Sequence, residues 1–245
     1  MIFGGLEKFS LIDYPGELAA IIFTQGCNFQ CPFCHNPMLV QASSEAGKVE
    51  DNQNPTEQEG HSRLSENDLL GFLEKRQGKL DGVVITGGEP TIHPDLGEFM
   101  DKIKKLGYKI KLDTNGTDPE TLQDLIRRKR VDYIAMDFKG DPERYSEITK
   151  AELDFSKIPK SAIIIMNSDL PYEFRTTMAP GLVQKEDIKK IGENIKGAQK
   201  WCLQNFINHV PLLDDKMREF SPWSDKEMEE IKQIASQYVD NVEIR

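Results

Sequence analysis

Apolar positions along the chain recur at two spacings, every second residue in short stretches and every third or fourth in longer ones, and the two alternate. The opening IFGGLEKFSLIDYPGELAAIIFT holds two extended, partly apolar stretches divided at Tyr14-Pro15-Gly16-Glu17, where proline and glycine supply turn geometry. This predicts an N-terminal hairpin feeding a buried strand over residues 18–24. Farther along, the pattern predicts a helix over 65–77, the strand GVVIT, a helix carrying Leu96, Phe99, Met100, Ile103 and Leu106 at helical spacing, and the strand KIKLD. It continues with a helix over 119–130, the strand YIAMDFK, a short helix over 142–149, the strand YEFRTTMAP, a helix over 185–200 and the strand WCLQNF. SAIIIMNSDL has strand propensity but falls where a crossover must return the chain to YEFRTTMAP, so it reads as helix. Ser224, with Glu227 at capping-box spacing, opens a last helix over 224–238 before the short strand VEIR. Repeated βα units predict an α/β fold with a parallel sheet, open or closed.

Between these elements lies QASSEAGKVEDNQNPTEQEGHSRL, residues 41–64, too poor in apolar side chains to offset the entropy of ordering. It reads as a polar, flexible insertion in a single domain spanning 1–245, without internal repeats or an interdomain linker. Forty-one acidic against 31 basic side chains give a net charge of −10, which repels phosphate backbones and argues against nucleic-acid binding. No apolar run approaches the roughly 18 residues of a membrane span, and no secretory signal opens the chain, so a reducing, cytoplasmic setting is expected.

The candidate chemistry begins at GCNFQCPFCHNP, where Cys27, Cys31 and Cys34 fall within eight positions. Three chemistries use thiols this close. A zinc site would need His35 as its fourth ligand, yet adjacent residues in a tight turn poorly aim at one ion, and His61, His93 and His209 are scattered. A dithiol pair suits CPFC after a strand but leaves Cys27 unexplained and belongs to smaller folds. A cubane iron-sulfur cluster held by three thiolates leaves one iron open to a ligand. Inert burial suits only the distant Cys202.

If the chain closes toward a β/α barrel, working residues belong at the C-terminal strand ends. Three comply. GVVIT runs into Gly87, Gly88 and Glu89, glycines that allow close backbone approach to a ligand and a carboxylate that accepts from a ligand ammonium. KIKLD ends in Asp113, Thr114 and Asn115, though Asn-Gly alone is a common turn. YIAMDFK ends in Asp137 and Lys139, placed on one face by strand alternation. Arg175 in YEFRTTMAP is a permanently charged donor on a neighbouring strand, where a structural salt bridge is the plain alternative.

The C-x3-C-x2-C spacing, with Phe33 before its last cysteine, resembles the cluster motif of the radical S-adenosylmethionine (SAM) superfamily, and GGE resembles that superfamily's motif for the methionine moiety. The resemblance implies a [4Fe-4S] cluster on Cys27, Cys31 and Cys34, with SAM on its open iron. DTNG and MDFK resemble segments of glycyl-radical-enzyme activating enzymes, which implies that Asp113 and Lys139 contact SAM. It further implies that Asp113 and Asp137 hold a monovalent cation beside its carboxylate, and Arg175 matches an arginine near the same site. His35 and Asn36 are expected to support the cluster loop through hydrogen bonds, Met136 and Met166 to be core residues, and His209 is only weakly matched to a ribose or adenine contact.

The N-terminal GGLEKFSLIDYPGELAAIIFTQGCNFQCPFCHNP, with EFRTTMAP and LQNF, closely resembles the anaerobic ribonucleoside-triphosphate reductase activating proteins. That implies a partial, open (β/α)6 barrel of TIM type, a glycyl-radical enzyme as partner (anaerobic ribonucleotide reductase first, pyruvate formate-lyase next), and an external electron donor such as flavodoxin or ferredoxin. A radical SAM enzyme acting on a small molecule or RNA, and a non-catalytic metal-binding scaffold, are the readings from other classes.

Overall fold

The computed structural model describes residues 1–40 and 64–245; the expected polar insertion therefore lies outside the described residues, except for Leu64. Strand β1 (Phe3–Ser10) runs antiparallel to β2 (Ala19–Thr24). The turn between them is the expected one: Glu17 N–H donates to Tyr14 C=O at 3.1 Å, with Pro15 following the donor-acceptor start and Gly16 at φ +80°, the signature of a type II turn. From β2 onward the sheet is parallel, in strict sequence order, through β3 (Gly82–Gly87), β4 (Lys109–Thr114), β5 (Tyr133–Asp137), β6 (Tyr172–Met178), β7 (Trp201–Asn205) and β8 (Val242–Ile244). Among the described residues β1 and β8 do not pair, so the sheet stays open, as the partial-barrel expectation requires.

Crossovers are helical: α1 (Glu66–Glu74), α2 (Leu96–Lys105), α3 (Pro119–Arg127), α4 (Tyr145–Thr149), α5 (Lys157–Met166), α6 (Asp187–Asn194) and α7 (Asp225–Ala235). SAIIIM is helical as expected, but α5 begins four residues earlier, with Pro159 in its first turn, where a missing N–H costs nothing. The helix expected over 185–200 is shorter, ending at Asn194; beyond it Gly197 takes φ +79° and its N–H is held by the Tyr238 carbonyl. The short helix expected over 142–149 is a 3-10 turn, Pro142–Arg144, running into α4. Both capping boxes form, at Ser65/Asp68 and at the predicted Ser224/Glu227.

Strand alternation gives the sheet two different faces. Ala20 and Ile22, Val83 and Ile85, Ile110 and Leu112, and Ile134 pack with the helices in the main core. Their alternates Ala19 and Ile21, Val84, and Tyr133 form a separate small apolar cluster with Tyr14 from the hairpin turn. On the same face, next along the strands, stand Lys111, Asp113, Asp137, Glu173 and Arg175. Met136 is core as expected, and Met166 packs against the core partly buried. No helix among the described residues is long and apolar enough to cross a membrane.

Candidate active site

The cysteine loop leaves β2 at Gly26, whose φ of +101° turns the chain. Its base is closed by Gly26 N–H to Leu39 C=O (2.8 Å) and Cys27 N–H to Val40 C=O (3.0 Å), and Cys34 N–H donates to Cys31 C=O at 2.9 Å. All three cysteines are free; Cys31 is buried and the other two are half-buried. Burial pushes the Cys31 thiol up to about 12 and, joined by the negative charge of Glu89, the Cys27 thiol up to about 11. Such thiols stay neutral unless a bound cation offsets the cost of ionising them, which is what iron does. Among the described residues no three His, Cys, Asp or Glu side chains converge on a single metal position. The donor set, three free thiols on one loop beside an open cavity, fits a multi-iron cluster with one iron unclaimed better than a closed zinc site.

The GGE turn at the end of β3 is pressed against this loop. Gly88 N–H donates to Thr24 C=O at 2.9 Å and Glu89 N–H to Gly26 C=O at 2.8 Å. A Cβ on Gly88 would lie 2.0 Å from the Gly26 carbonyl oxygen, and one on Gly87 2.5 Å from Thr24 backbone atoms. Sequence reasoning assigned these glycines to close approach of a ligand. Both line the cavity, but what their missing side chains admit is the neighbouring backbone.

Glu89, 1% exposed, is the hub of the β3 and β4 ends. Its Oε1 accepts from Thr91 N–H (3.1 Å), Thr91 Oγ1 (2.6 Å) and Thr114 Oγ1 (2.7 Å), and its Oε2 from Asn115 N–H (2.6 Å). Burial raises its pKa despite these bonds. Oε2, with a single partner, keeps acceptor capacity for a ligand ammonium. Asn115 turns its amide to Asn28 Oδ1 (2.8 Å), tying β4 to the cysteine loop.

Beyond Glu89 stands a chain of charges. Arg175 spans two strands, Nη1 to Asp113 Oδ2 (3.0 Å) and Nε to Asp137 Oδ1 (2.7 Å). Lys139 Nζ reaches Asp137 Oδ2 at 2.9 Å, and Lys111 Nζ bonds Asp113 Oδ1. Burial alone would raise both aspartates, but the charges of Arg175, with Lys111 on one side and Lys139 on the other, hold them below the usual carboxylate range. Lys139 is held high against burial by Asp137, and its backbone N–H donates to Tyr145 Oη at 3.0 Å.

Cys27, Cys31, Cys34, Phe33, Gly87, Gly88, Glu89, Asp113, Thr114, Asn115, Asp137, Lys139 and Arg175 all line one cavity of about 340 Å³. His35 and Asn36 join them. His35 bonds the Ile207 backbone and stacks at a tilt on Phe206, anchoring the loop as expected, whereas Asn36 contributes its carbonyl, to Leu39 N–H. His209 is exposed and absent from the lining, so the structure does not bring it to the site. Cys202 is buried away from the cavity, its thiol donating to Glu173 at 3.3 Å. Sequence reasoning missed Lys111, which is buried against Asp113 and outside the cavity lining, and Thr177 and Gln204, which line the cavity. Each stands two positions from a residue of the same face (Asp113, Arg175 and Cys202), so strand alternation was the available signal.

The radical SAM superfamily model matches residues 21–194, well over half of the chain. A protein of Methanocaldococcus jannaschii assigned as a glycyl-radical enzyme activating enzyme is 32% identical over 98% of this chain and 94% of its own length. The chain belongs to the glycyl-radical-enzyme activating branch of the radical SAM superfamily. It is therefore a radical SAM enzyme, and family membership implies the [4Fe-4S] cluster and SAM. The pyruvate formate-lyase-activating enzyme of Staphylococcus epidermidis is 28% identical over 78% of this chain and 73% of that one. Among solved structures, Streptococcus suis SuiB bound to S-adenosylmethionine shares the fold at TM-score 0.63 and 15% identity, covering 92% of this chain, which spans only 49% of SuiB. Escherichia coli QueE shares it at TM-score 0.53 and 17% identity over 100% of this chain and 91% of QueE.

Proposed function

We propose that this activating enzyme cleaves SAM reductively and removes a hydrogen atom from a backbone glycine of a partner enzyme, anaerobic ribonucleoside-triphosphate reductase before pyruvate formate-lyase. The observation that carries the reading is the convergence of the three cysteines, Glu89, Asp137, Lys139 and Arg175 on one cavity. Bound there, a [4Fe-4S] cluster would supply the one-electron reduction that splits SAM at a carbon-sulfur bond and so drives removal of the glycine hydrogen. Cys27, Cys31 and Cys34 hold the cluster. Glu89 Oε2 accepts from the SAM ammonium. Lys139 and Arg175 orient its carboxylate, beside a positive charge that the family resemblance assigns to a monovalent cation on Asp113 and Asp137. Phe33, buried beside the cysteines, lines the cavity, and the unpaired β1 and β8 edges leave the sheet open on the side from which a glycine-bearing loop would enter.

The preference for the reductase rests on the likeness of the N-terminal segment, EFRTTMAP and LQNF to its activators. A flavodoxin or ferredoxin of the cytoplasm completes the reading as electron donor. The test is anaerobic reconstitution with iron and sulfide, reduction, and measurement of 5'-deoxyadenosine beside Cys31→Ala. Product from the wild type alone supports the reading, and glycyl-radical EPR with candidate reductases and lyases then selects the partner. A fully loaded, reduced protein that makes no product rejects it.

A further inference from the structure

Asp113 and Asp137, the two carboxylates that the family resemblance assigns to a monovalent cation, have no oxygen without a cationic partner in this chain. Asp113 accepts from Lys111 on Oδ1 and from Arg175 on Oδ2; Asp137 accepts from Arg175 on Oδ1 and from Lys139 on Oδ2. Lys111 is the unusual member. It is 1% exposed, lies within strand β4 two residues before Asp113, and has its ammonium 6.0 Å above the Tyr133 ring. The other carboxylate facing it on this side of the sheet, Glu173, is taken by the two-pronged Arg245 at 3.1 and 2.8 Å, which leaves Asp113 as the partner of Lys111.

Counting charge shows what Lys111 does. Lys111, Lys139 and Arg175 oppose Asp113 and Asp137, so three positive charges meet two negative ones and the group carries one net positive charge. A SAM carboxylate brings it to zero. Without Lys111 the same group is neutral before SAM arrives and negative by one afterwards. The deficit is one positive charge at Asp113, the charge that a bound sodium or potassium ion supplies. An ion entering the present site would have to shed its water and displace a covalently tethered ammonium from a buried carboxylate.

We propose that the buried ammonium of Lys111 supplies, at Asp113, the positive charge that a monovalent cation would otherwise bring to the SAM site, so that this chain binds SAM without sodium or potassium. Lys111 is a positioning residue: it neutralises Asp113 and thereby fixes the Arg175 fork that faces the SAM carboxylate. The inference rests on the SAM-cleaving reading of the site.

The experiment uses the anaerobically reconstituted holoenzyme in tetramethylammonium buffer, with potassium or sodium chloride titrated in at constant ionic strength. Two quantities are read: SAM affinity by equilibrium dialysis and, without SAM, the thermal midpoint. For the wild type both are expected to stay level, affinity within about twofold. Lys111→Met is expected to bind SAM about tenfold or more weakly in tetramethylammonium. Potassium or sodium should restore its affinity and raise its midpoint, a rescue that loss of a merely structural lysine does not give. A wild type whose midpoint and SAM affinity climb with potassium or sodium overturns the proposal, and so does a folded variant that neither ion rescues. Lys111→Gln serves if the methionine variant does not fold, and the wild-type titration decides without either. Absence of SAM binding in every buffer would instead reject the SAM-cleaving reading, while the cation response of the midpoint would still report on whether the position is filled.

Discussion

Arg175 and Asp137 stand opposite one another on adjacent parallel strands, and the Nε of one donates to the Oδ1 of the other at 2.7 Å. The same guanidinium reaches Asp113 on the strand beyond, so one side chain crosses three strands at their C-terminal ends. No other side-chain type offers two donors in a rigid fork at that span.

Removing that fork should leave two carboxylates facing each other in a poorly solvated site. Arg175→Met is expected to lose about 3–5 kcal/mol of stability, and Arg175→Lys to recover only part of it because an ammonium serves one carboxylate well. Urea denaturation of the two variants checks this, and equal stability of both with the wild type would contradict it.

Glu89 holds four hydrogen-bond donors from two loops. Glu89→Ala strands them in a buried site, at about 1–3 kcal/mol for such a loss, and removes the acceptor proposed for the SAM ammonium. SAM affinity measured by equilibrium dialysis should fall about tenfold or more. Iron content should fall less, since no cysteine is altered.

Gly88→Ala places a methyl group 2.0 Å from the Gly26 carbonyl oxygen, one residue before Cys27. Backbone must move, at a cost of about 1–3 kcal/mol. The expected outcome is a folded protein by circular dichroism that retains less iron after reconstitution than the wild type.

Acid should weaken the fold through Asp113 and Asp137. Their folded pKa values lie below the unfolded value, so the stabilisation they contribute is complete above about pH 4 and is lost as pH falls through the folded values. Glu89 acts in the opposite sense: its folded pKa is raised, so its protonation on acidification relieves a cost. Denaturation free energies between about pH 4 and pH 2 should fall more shallowly in Asp137→Asn than in the wild type.

Cys202 pairs with Glu173 in the sheet interior and takes no part in the cavity. Cys202→Ser should therefore reconstitute to the same iron content as the wild type, whereas Cys31→Ala should not. Iron and sulfide assays on the two variants separate structural from cluster cysteines.

Much of this protein was readable from local pattern. The β2 to β7 strands, the SAIIIM helix and the Ser224/Glu227 box each depend on residues a few positions apart, and so do the cysteine spacing and the GGE, DTN and MDFK strand ends. At α6 the helix ends at Asn194, three residues before Gly197 and its bond to Tyr238 C=O, a long-range contact that periodicity does not reveal. Tertiary structure alone decided which side chains meet. Lys111 looks like any strand lysine until Arg175, 64 residues on, shares Asp113 with it. Gly88 answers to Gly26 because β2 and β3 lie side by side in register, and His209 stays outside because the chain after β7 runs over the exposed surface there. Charge compensation and steric fit act between neighbours in space, and those neighbours come together only when the sheet curls and brings its strand ends around one cavity.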